Sequence, residues 1–305
     1  MSQMPVHPLV LILINMVTKL RGEFWEMKKK IVMMTLLLAI GITACGEAKA
    51  ESSGENAIIE EEQVVQSEES DSLEESKVED FEYTFLDDGT VGIRAYKGSA
   101  AIINIPEEIE GAKVTSIDGI SGDSIVKIVI PDSVTTIEQA ACWANDNLEE
   151  VVMGENVTKI GAKAFDLDDK LQIINLPDSV TEIGEAAFST TAIKEINVPK
   201  SLTDMSQGIF SLSSLERVTV PGNVKTIGLC AFEDCKDLQE VIIEEGVEMI
   251  DEAAFKGDDA LARIEIPASV TEMNCKIPEG CTIVAPAGSY AETFANENGY
   301  TFEAR

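Results

Sequence analysis

The chain has 305 residues, of which 45% are hydrophobic but only 5% aromatic, and its formal net charge is −32. This acidity disfavours binding to nucleic acids and to anionic membrane surfaces. Because aromatic residues are few, Ile, Val, Leu and Ala must fill the core, which suits thin repeated coils better than one deep globular interior.

The single histidine, His7, lies in an N-terminal segment that we expect the mature protein to lack. Without histidine, the mature chain would have no Ser/His/Asp or Cys/His nucleophilic site, no imidazole acid–base group and no His-ligated metal. The acidic runs at residues 87–88 and 166–169 lack the spacing of a Ca²⁺-binding loop. We therefore predict no catalytic residue, no metal site, no cofactor and no enzymatic activity.

Residues 27–45 have the pattern of a bacterial signal peptide. Three lysines precede an apolar run from Ile31 to Ile42, which is shorter than the roughly 20 residues of a membrane-spanning helix. The closing sequence Ile42-Thr43-Ala44-Cys45 resembles the bacterial lipobox. This resemblance implies cleavage before Cys45 and a diacylglycerol anchor on its thiol; a plain secretory signal with an incidental cysteine is the alternative.

Two further segments flank this signal. Because a complete signal peptide begins at Met27, we attribute residues 1–26 to a start codon assigned too early. The alternative is a long natural leader. Residues 47–82 contain fourteen acidic residues and two lysines. Such a segment buries too little apolar surface to fold, so residues 46–82 are predicted to be a disordered acidic stalk, or merely a tolerated spacer.

An internal repeat follows. Similar segments begin at residues 128, 151, 174, 196, 218, 241 and 264, at intervals of 23, 23, 22, 22, 23 and 23 residues, and an irregular copy precedes them. Each has an L-x-x-L-x-L run, such as Leu171-x-x-Ile174-x-Leu176, which predicts a short strand with one buried face. Most copies continue through proline to an Ala-Phe pair whose rings should be buried at equivalent places, as for Phe165, Phe188 and Phe232.

The period predicts a solenoid over residues 83–284, with a parallel β-sheet on one face, an irregular or short-strand convex side and about eight coils of 22–23 residues. Residues 285–305 are predicted to form a C-terminal cap. Ser289 and Glu292 form a capping-box pattern, so a helix is expected from about Tyr290 to Glu297, ended by Gly299.

The pattern Pro-x-Ser-Val-Thr-x-Ile-Gly-x-x-Ala-Phe at this period resembles the BspA-like, treponemal-type leucine-rich repeat family of surface lipoproteins. The resemblance covers about residues 83–302 and implies a surface protein that binds host matrix proteins, other cells or itself. Cys142, which replaces the expected Phe, and the Ile209-Phe210 pair depart from the pattern.

The outward-facing positions of the strands are the candidates for ligand contact. Charges at the third position alternate in sign from coil to coil, so we favour self-paired charges over a ligand-binding stripe. The fifth position begins apolar and then turns polar, which is more typical of a contact surface. The ligand-contact candidates, taken from this position and its neighbours, are Val129, Val152, Gln172, Ile173, Asn175, Lys194, Asn197 and Thr219.

Five cysteines follow Cys45, so complete internal pairing among them is impossible. Cys142 is predicted to fill core space, and Cys275 with Cys281 could close a small loop. Cys235 shares its repeat position with Asn145, Asp168 and Asp258, a position suited to small polar side chains that bond turn backbone. We therefore interpret both aspartates as structural.

Together these patterns predict an extracytoplasmic protein of the bacterial cell surface, held at the membrane through the Cys45 lipid. The leading hypothesis is an adhesin or recognition scaffold whose partner is an extracellular protein or glycan, with no nucleic-acid partner. The alternative is a structural envelope protein that self-associates and has no dedicated ligand.

Overall fold

The computed structural model describes residues 76–305, which form a β-solenoid of about nine turns. The predicted repeat solenoid is confirmed. It has one turn more than the eight repeats in the sequence, because the irregular segments at both ends continue the sheets. Predictions for residues 1–75, including the start site, the signal peptide, Cys45 and most of the stalk, lie outside the described residues.

The N-terminal end of the solenoid is closed by an antiparallel strand pair. A 3-10 helical turn, Val78–Asp80, leads into β1 (Phe81–Phe85), which pairs with β2 (Val91–Tyr96). The Phe81 ring is buried against Tyr96, with ring centroids 5.3 Å apart. The aromatic contact of Phe81 thus belongs to this closing strand pair.

The L-x-x-L-x-L segments form parallel strands on one side of the coil, here called the front side. Their alternation of aliphatic and other residues buries every second side chain, as in the strand Arg217–Val220. The front strands are β3 (Ile102–Asn104), β6 (Lys127–Val129), β8 (Glu150–Val152), β10 (Ile173–Ile174), β13 (Arg217–Val220), β15 (Glu240–Ile243), β17 (Arg263–Glu265), β19 (Thr282–Ala285) and β20 (Thr301–Ala304). They form two sheets, in the orders β10-β8-β6-β3 and β13-β15-β17-β19-β20.

A second side, here called the rear side, carries the short strands of the Val-Thr-x-Ile segments, as expected for the short-strand side. After most front strands, the backbone turns at a proline, for example where the Val180 N–H donates to the Pro177 carbonyl oxygen at 3.1 Å. One rear sheet contains β1, β2, β4 (Glu108–Ile109), β5 (Ala112–Ile117), β7 (Thr136–Ile137), β9 (Lys159–Ile160) and β11 (Glu182–Ile183); the other contains β12 (Asp204–Met205), β14 (Thr226–Ile227), β16 (Met249–Ile250) and β18 (Glu272–Met273).

The Ala-Phe pairs lie on a third side, here called the turn side, where their rings form a continuous stack. Adjacent rings are parallel within 17°, and their centroids lie 5.5–5.8 Å apart. Cys142 is fully buried at the same repeat position. The predicted register of the rings and the core role of Cys142 are thus confirmed. The members of the stack are Phe165, Phe188, Phe210, Phe232 and Phe255.

The parallel sheet predicted for one face is confirmed, but both the front and the rear sheets are interrupted at one junction. β10 and β11 have no partner strand in the following coil. Among the described residues, no hydrogen bond between two main-chain groups joins 171–184 to 193–206. Two bonds that involve a side chain remain, from the Lys200 N–H to Asp178 Oδ1 at 3.3 Å and from the Ser206 hydroxyl to the Ile183 carbonyl oxygen. The turn side stays closed there: the N–H groups of Ala186 and Phe188 donate to the carbonyl oxygens of Gln207 and Ile209 at 2.9 and 3.0 Å.

The interruption coincides with the first of the two 22-residue coils. In the 23-residue coils, the next leucine follows three residues after the polar repeat position that Asp168 occupies. The turn between them is closed by a hydrogen bond, as where the Leu171 N–H donates to the Asp168 carbonyl oxygen at 2.9 Å. In the shortened coil, Thr191 and Ile193 occupy the positions of Asp168 and Leu171, but they lie only two residues apart. The equivalent turn hydrogen bond is absent among the described residues. The loss of pairing coincides with this first shortened turn, whereas the second one, between Ser213 and Leu215, keeps the pairing of β12 with β14.

The C-terminal cap contains the expected helix, α1 (Tyr290–Asn298). The Ser289 side chain accepts a hydrogen bond from the Glu292 N–H at 3.3 Å, and Gly299 ends the helix with a φ of 76°. The Glu292 carboxylate accepts from the Gly288 N–H, one residue before the position that a full capping box would use. The following strand, β20, then pairs with β19, which closes the solenoid.

Candidate ligand-binding surface

The eight ligand-contact candidates all lie on or beside the front side with exposed or half-exposed side chains. Val152 and Ile173 expose 41% and 61% of their surface, which is high for aliphatic residues in a repeat whose alternate positions are buried. The outward orientation that the sequence predicts is therefore confirmed. Ligand contact itself stays a prediction.

The charged third positions of the front strands pair with one another, as the favoured interpretation predicts. Lys127 Nζ lies 2.8 Å from a Glu150 carboxylate oxygen. Arg217 and Arg263 both approach Glu240, with N–O distances of 4.0 and 3.7 Å. Glu195 is different: it shares a backbone bridge with Arg217 but makes no ion pair within residues 76–305. One carboxylate on this stripe is thus uncompensated, and it lies at the interrupted junction.

A groove of about 980 Å³ opens on the front side at this junction, here called the break groove. Its walls come from β10, from residues 195–198, which form no strand, and from β13 and β15. Three of the eight candidates line it, namely Asn175, Asn197 and Thr219. Val129, Val152, Gln172, Ile173 and Lys194 lie outside its lining, so the structure divides the predicted surface into two parts.

The groove exposes a residue that belongs to the core elsewhere. Ile196 is half-buried, whereas the equivalent residues Ile128, Val151, Val218 and Val241 expose at most 4%. The sequence does not mark Ile196 as a ligand-contact residue, because its repeat position is a core position. The signal that could have located the groove is the change of interval from 23 to 22 residues, which marks where adjacent coils cease to match.

The polar position of each coil forms a buried ladder on the turn side. The Asn145 N–H donates to Asp168 Oδ1 at 2.7 Å, and the Cys235 N–H donates to Asp258 Oδ1 at 2.8 Å. Asn145 also uses its amide to donate to the carbonyl oxygens of Ile120 and Cys142. These bonds hold turn backbone, which supports the structural interpretation of both aspartates.

The second carboxyl oxygen of each aspartate, Oδ2, is buried without a hydrogen-bond partner in the described structure. Burial raises the pKa of Asp168 to about 8, against the hydrogen bond from Asn145, which lowers it. The pKa of Asp258 also rises to about 8 through burial. Both groups therefore hold a proton near neutral pH, which removes the cost of a buried charge.

The cysteines of the described region show no sign of reactive chemistry. All five are free thiols, so the suggested Cys275–Cys281 disulfide is wrong for this structure. Burial raises the pKa of both thiols to about 12, which opposes formation of the nucleophilic thiolate.

Within residues 76–305, no group of three or more His, Cys, Asp or Glu side chains is placed to hold a metal ion. No helix in that range is long and apolar enough to cross a membrane.

The repeat pattern matches a known family. Residues 89–189 and 158–284 match the BspA type leucine rich repeat region, in 6 copies. The chain belongs to this family. It is a leucine-rich repeat scaffold of the BspA type, and its fold agrees with the resemblance noted in the sequence.

Several solved structures are similar to this BspA-type chain. A leucine-rich repeat protein from T. pallidum is 26% identical; the match covers 76% of this chain and 100% of that one, with a TM-score of 0.50. A leucine-rich cell surface protein from Faecalibacterium prausnitzii is 20% identical, with 69% and 76% covered and a TM-score of 0.45. The pneumococcal vaccine antigen PcpA is 12% identical, with 74% and 96% covered and a TM-score of 0.35. No curated protein sequence matches significantly.

Proposed function

We propose that this chain is a recognition scaffold of the bacterial cell surface, an adhesin that binds an extracellular protein or glycan through its front side. The observation that carries the proposal is the front surface itself. It presents the exposed aliphatic side chains of Val152 and Ile173 over consecutive coils. Beside them lie the amides of Asn175 and Asn197 and the hydroxyl of Thr219 in the break groove. Solenoids bind partners through extended surfaces of this kind, because each coil contributes a narrow strip of side chains.

Two further observations support this choice. The interior is filled with aliphatic and phenylalanine side chains, so binding has to take place on the outside of the coil. Front-strand charges mostly neutralise one another, which leaves polar and apolar contacts to determine specificity.

The experiment measures saturable binding of the full chain, extracted in detergent, to an array of purified extracellular matrix proteins and glycans. The double variant Val152→Glu with Asn175→Lys should abolish binding, since both side chains point outward and the change introduces two charges without altering the net charge. The matched control exchanges the exposed rear pair, Lys159→Glu with Glu182→Lys, which keeps the ion pair now seen at 3.1 Å. The control should bind normally.

Two results would contradict the proposal. If binding survives the front-side double variant, the contact surface lies elsewhere on the chain. If no array member binds and the chain only self-assembles with rising concentration, the alternative of a structural envelope protein is supported instead.

We also propose that the mature protein begins at Cys45 and is anchored to the membrane by a lipid on that thiol. The proposal is supported by the lipobox-like sequence that ends at Cys45. Intact-mass analysis of membrane-extracted protein should give a diacylglyceryl adduct on a chain that starts at Cys45, and Cys45→Ala should release the protein or leave it unprocessed. An unmodified chain that starts before residue 27 would overturn both the anchor and the start-site interpretation.

A further inference from the structure

We infer that the break groove accepts an extended segment of a partner protein as an additional β-strand, inserted between β10 and residues 195–198. The inference rests on the proposed recognition function and names the class of partner: a polypeptide in extended conformation whose aliphatic and basic side chains alternate. This mode of binding is β-strand addition, in which main-chain hydrogen bonds supply affinity and side-chain pockets supply specificity.

The backbone at the junction carries the first step of the argument. Between the other front strands, parallel pairing uses the N–H and carbonyl groups of both neighbours, as where the Ile173 N–H donates to the Glu149 carbonyl oxygen at 3.1 Å. At the break, the edge of β10 and the non-strand segment 195–198 border one groove and make no such bonds to each other in the described structure. An inserted strand would bond to both edges.

The exposed edge also lacks the features that usually prevent strand addition. Proteins protect open strand edges with lysine, proline, a bulge or a covering element. β10 and the residue after it are Ile173, Ile174 and Asn175, with neither charge nor proline. Asp178 and Lys200 approach each other across the junction at 3.8 Å, but they lie beyond the strands and leave this edge uncovered.

The side chains of the groove indicate what the inserted strand carries. Ile196 is half-buried on the groove floor beside Ile174, so an aliphatic side chain of the partner would complete the packing found at every other coil. Glu195 is a carboxylate without an ion pair in the described structure, and Glu244 lines the same groove, whereas Glu240 already faces Arg217 and Arg263. The groove's two cations, Lys200 and Arg217, already face carboxylates. Basic side chains at alternate positions therefore fit best.

The test uses the full chain in detergent and an end-blocked octapeptide of alternating lysine and valine. Hydrogen exchange of backbone amides in residues 172–176 and 194–198 should slow when the peptide is added. A peptide with N-methyl groups on its valines keeps the same charge but loses the donors along one edge, so it should bind at least about tenfold more weakly, the loss expected from one or two hydrogen bonds. An octapeptide of alternating glutamate and valine should not slow exchange.

A sealed variant tests the geometry independently. Inserting one Asp after Ala192 and one after Ser214 converts both 22-residue coils to 23 residues, which should restore front pairing across the junction and remove peptide binding. If this variant fails to fold, Glu195→Lys replaces it: the exposed substitution keeps the fold and should weaken binding of the lysine peptide by about tenfold. Glu149→Lys makes the same charge change on the front side outside the groove, and it should have little effect.

The outcomes separate strand insertion from the wider proposal. Equal binding of the N-methylated peptide, or retained binding in the sealed variant, would show attraction by charge alone and would overturn strand insertion. If the sealed variant still binds its array ligand while front-side variants do not, the recognition function stands and the groove is not its site. Slowed exchange confined to the two segments, and lost on sealing, supports the inserted strand.

Discussion

The turn side and the front side of the solenoid respond differently to the same irregularity in repeat length. At the junction after residue 184, the turn side keeps its hydrogen bonds and the Phe165–Phe188–Phe210 stack, whereas the front side loses its strand pairing. The shortened interval lies between the polar position and the next strand, and the front strand is the first element that it displaces. A solenoid can therefore lose strand pairing on its front and rear sides while the turn side holds the coils together, since each coil contacts only its neighbours.

The largest effect is expected from removing a phenylalanine ring on the turn side, which holds the two coils together at the junction. Phe188 is fully buried, with ring centroids 5.5 and 5.7 Å from Phe165 and Phe210. Phe188→Ala should lower the free energy of unfolding by about 3–5 kcal/mol, through lost burial and the cavity that remains. Guanidinium unfolding of the full chain, followed by far-UV circular dichroism, measures the change.

The matched control is Ile173→Ala on the open front side. Because 61% of Ile173 is exposed, this substitution should cost less than about 1 kcal/mol. Equal losses for the two variants would mean that the front side holds the junction as strongly as the turn side, and the comparison would fail.

The sequence predicted the repeated part of the molecule well because the repeat itself carries the information. The buried rings at Phe165 and Phe232, the short strands and the helix after Ser289 all follow from local patterns that recur or have defined caps. The role of Asn145 and its equivalents could also be inferred, since a polar residue at one position in successive coils has to satisfy turn backbone.

The break groove could not be predicted in the same way. The intervals of 22 residues are visible in the sequence, but their effect depends on how two successive coils fit in three dimensions. A single-residue change in a turn can be absorbed by the turn or transmitted to the strand, and no local pattern decides which. For this reason Asn175, Asn197 and Thr219 were selected for their polarity, while Ile196 and Glu195, which distinguish the groove, were not among the ligand-contact candidates.

A second test concerns the cost of acidic residues in the polar ladder of the turn side. Asp168 has a pKa of about 8 in the folded chain, against an ordinary value of 3.8. Above about pH 4 the unfolded chain loses this proton while the folded chain keeps it up to about pH 8, so unfolding releases a proton. The stability contribution of the raised pKa is therefore complete below pH 4 and is lost as pH rises towards 8, at up to about 1.4 kcal/mol per pH unit.

Asp168→Asn removes this dependence and supplies an amide like that of Asn145. Relative to the unmodified chain, the variant should gain about 2.5 kcal/mol between pH 5 and pH 7, and the difference should level off above pH 8. Guanidinium unfolding at several pH values measures it. Asn145→Asp is the reciprocal change and should impose a loss that grows with pH over the same range. A difference independent of pH would show that Asp168 is ionised in the folded chain.

The smallest expected effect comes from the left-handed residues that shape the turn side in both kinds of coil. Leu167 has a φ of 64° with 42% of its surface exposed, and Gly257 occupies the equivalent position with a φ of 83°. A left-handed conformation costs a residue with a Cβ roughly 1–2 kcal/mol, and glycine avoids this cost but loses about 0.5–1 kcal/mol through its more flexible unfolded chain. Leu167→Gly should therefore raise the free energy of unfolding by no more than about 1 kcal/mol, measured by thermal and guanidinium unfolding.

Leu212→Gly, in the first coil after the interrupted one and with a φ of 58°, should give the same small gain, because the turn side has the same geometry on both sides of the break. A clear loss in Leu212→Gly alone would show that the turn side has also been altered by the shortened coils.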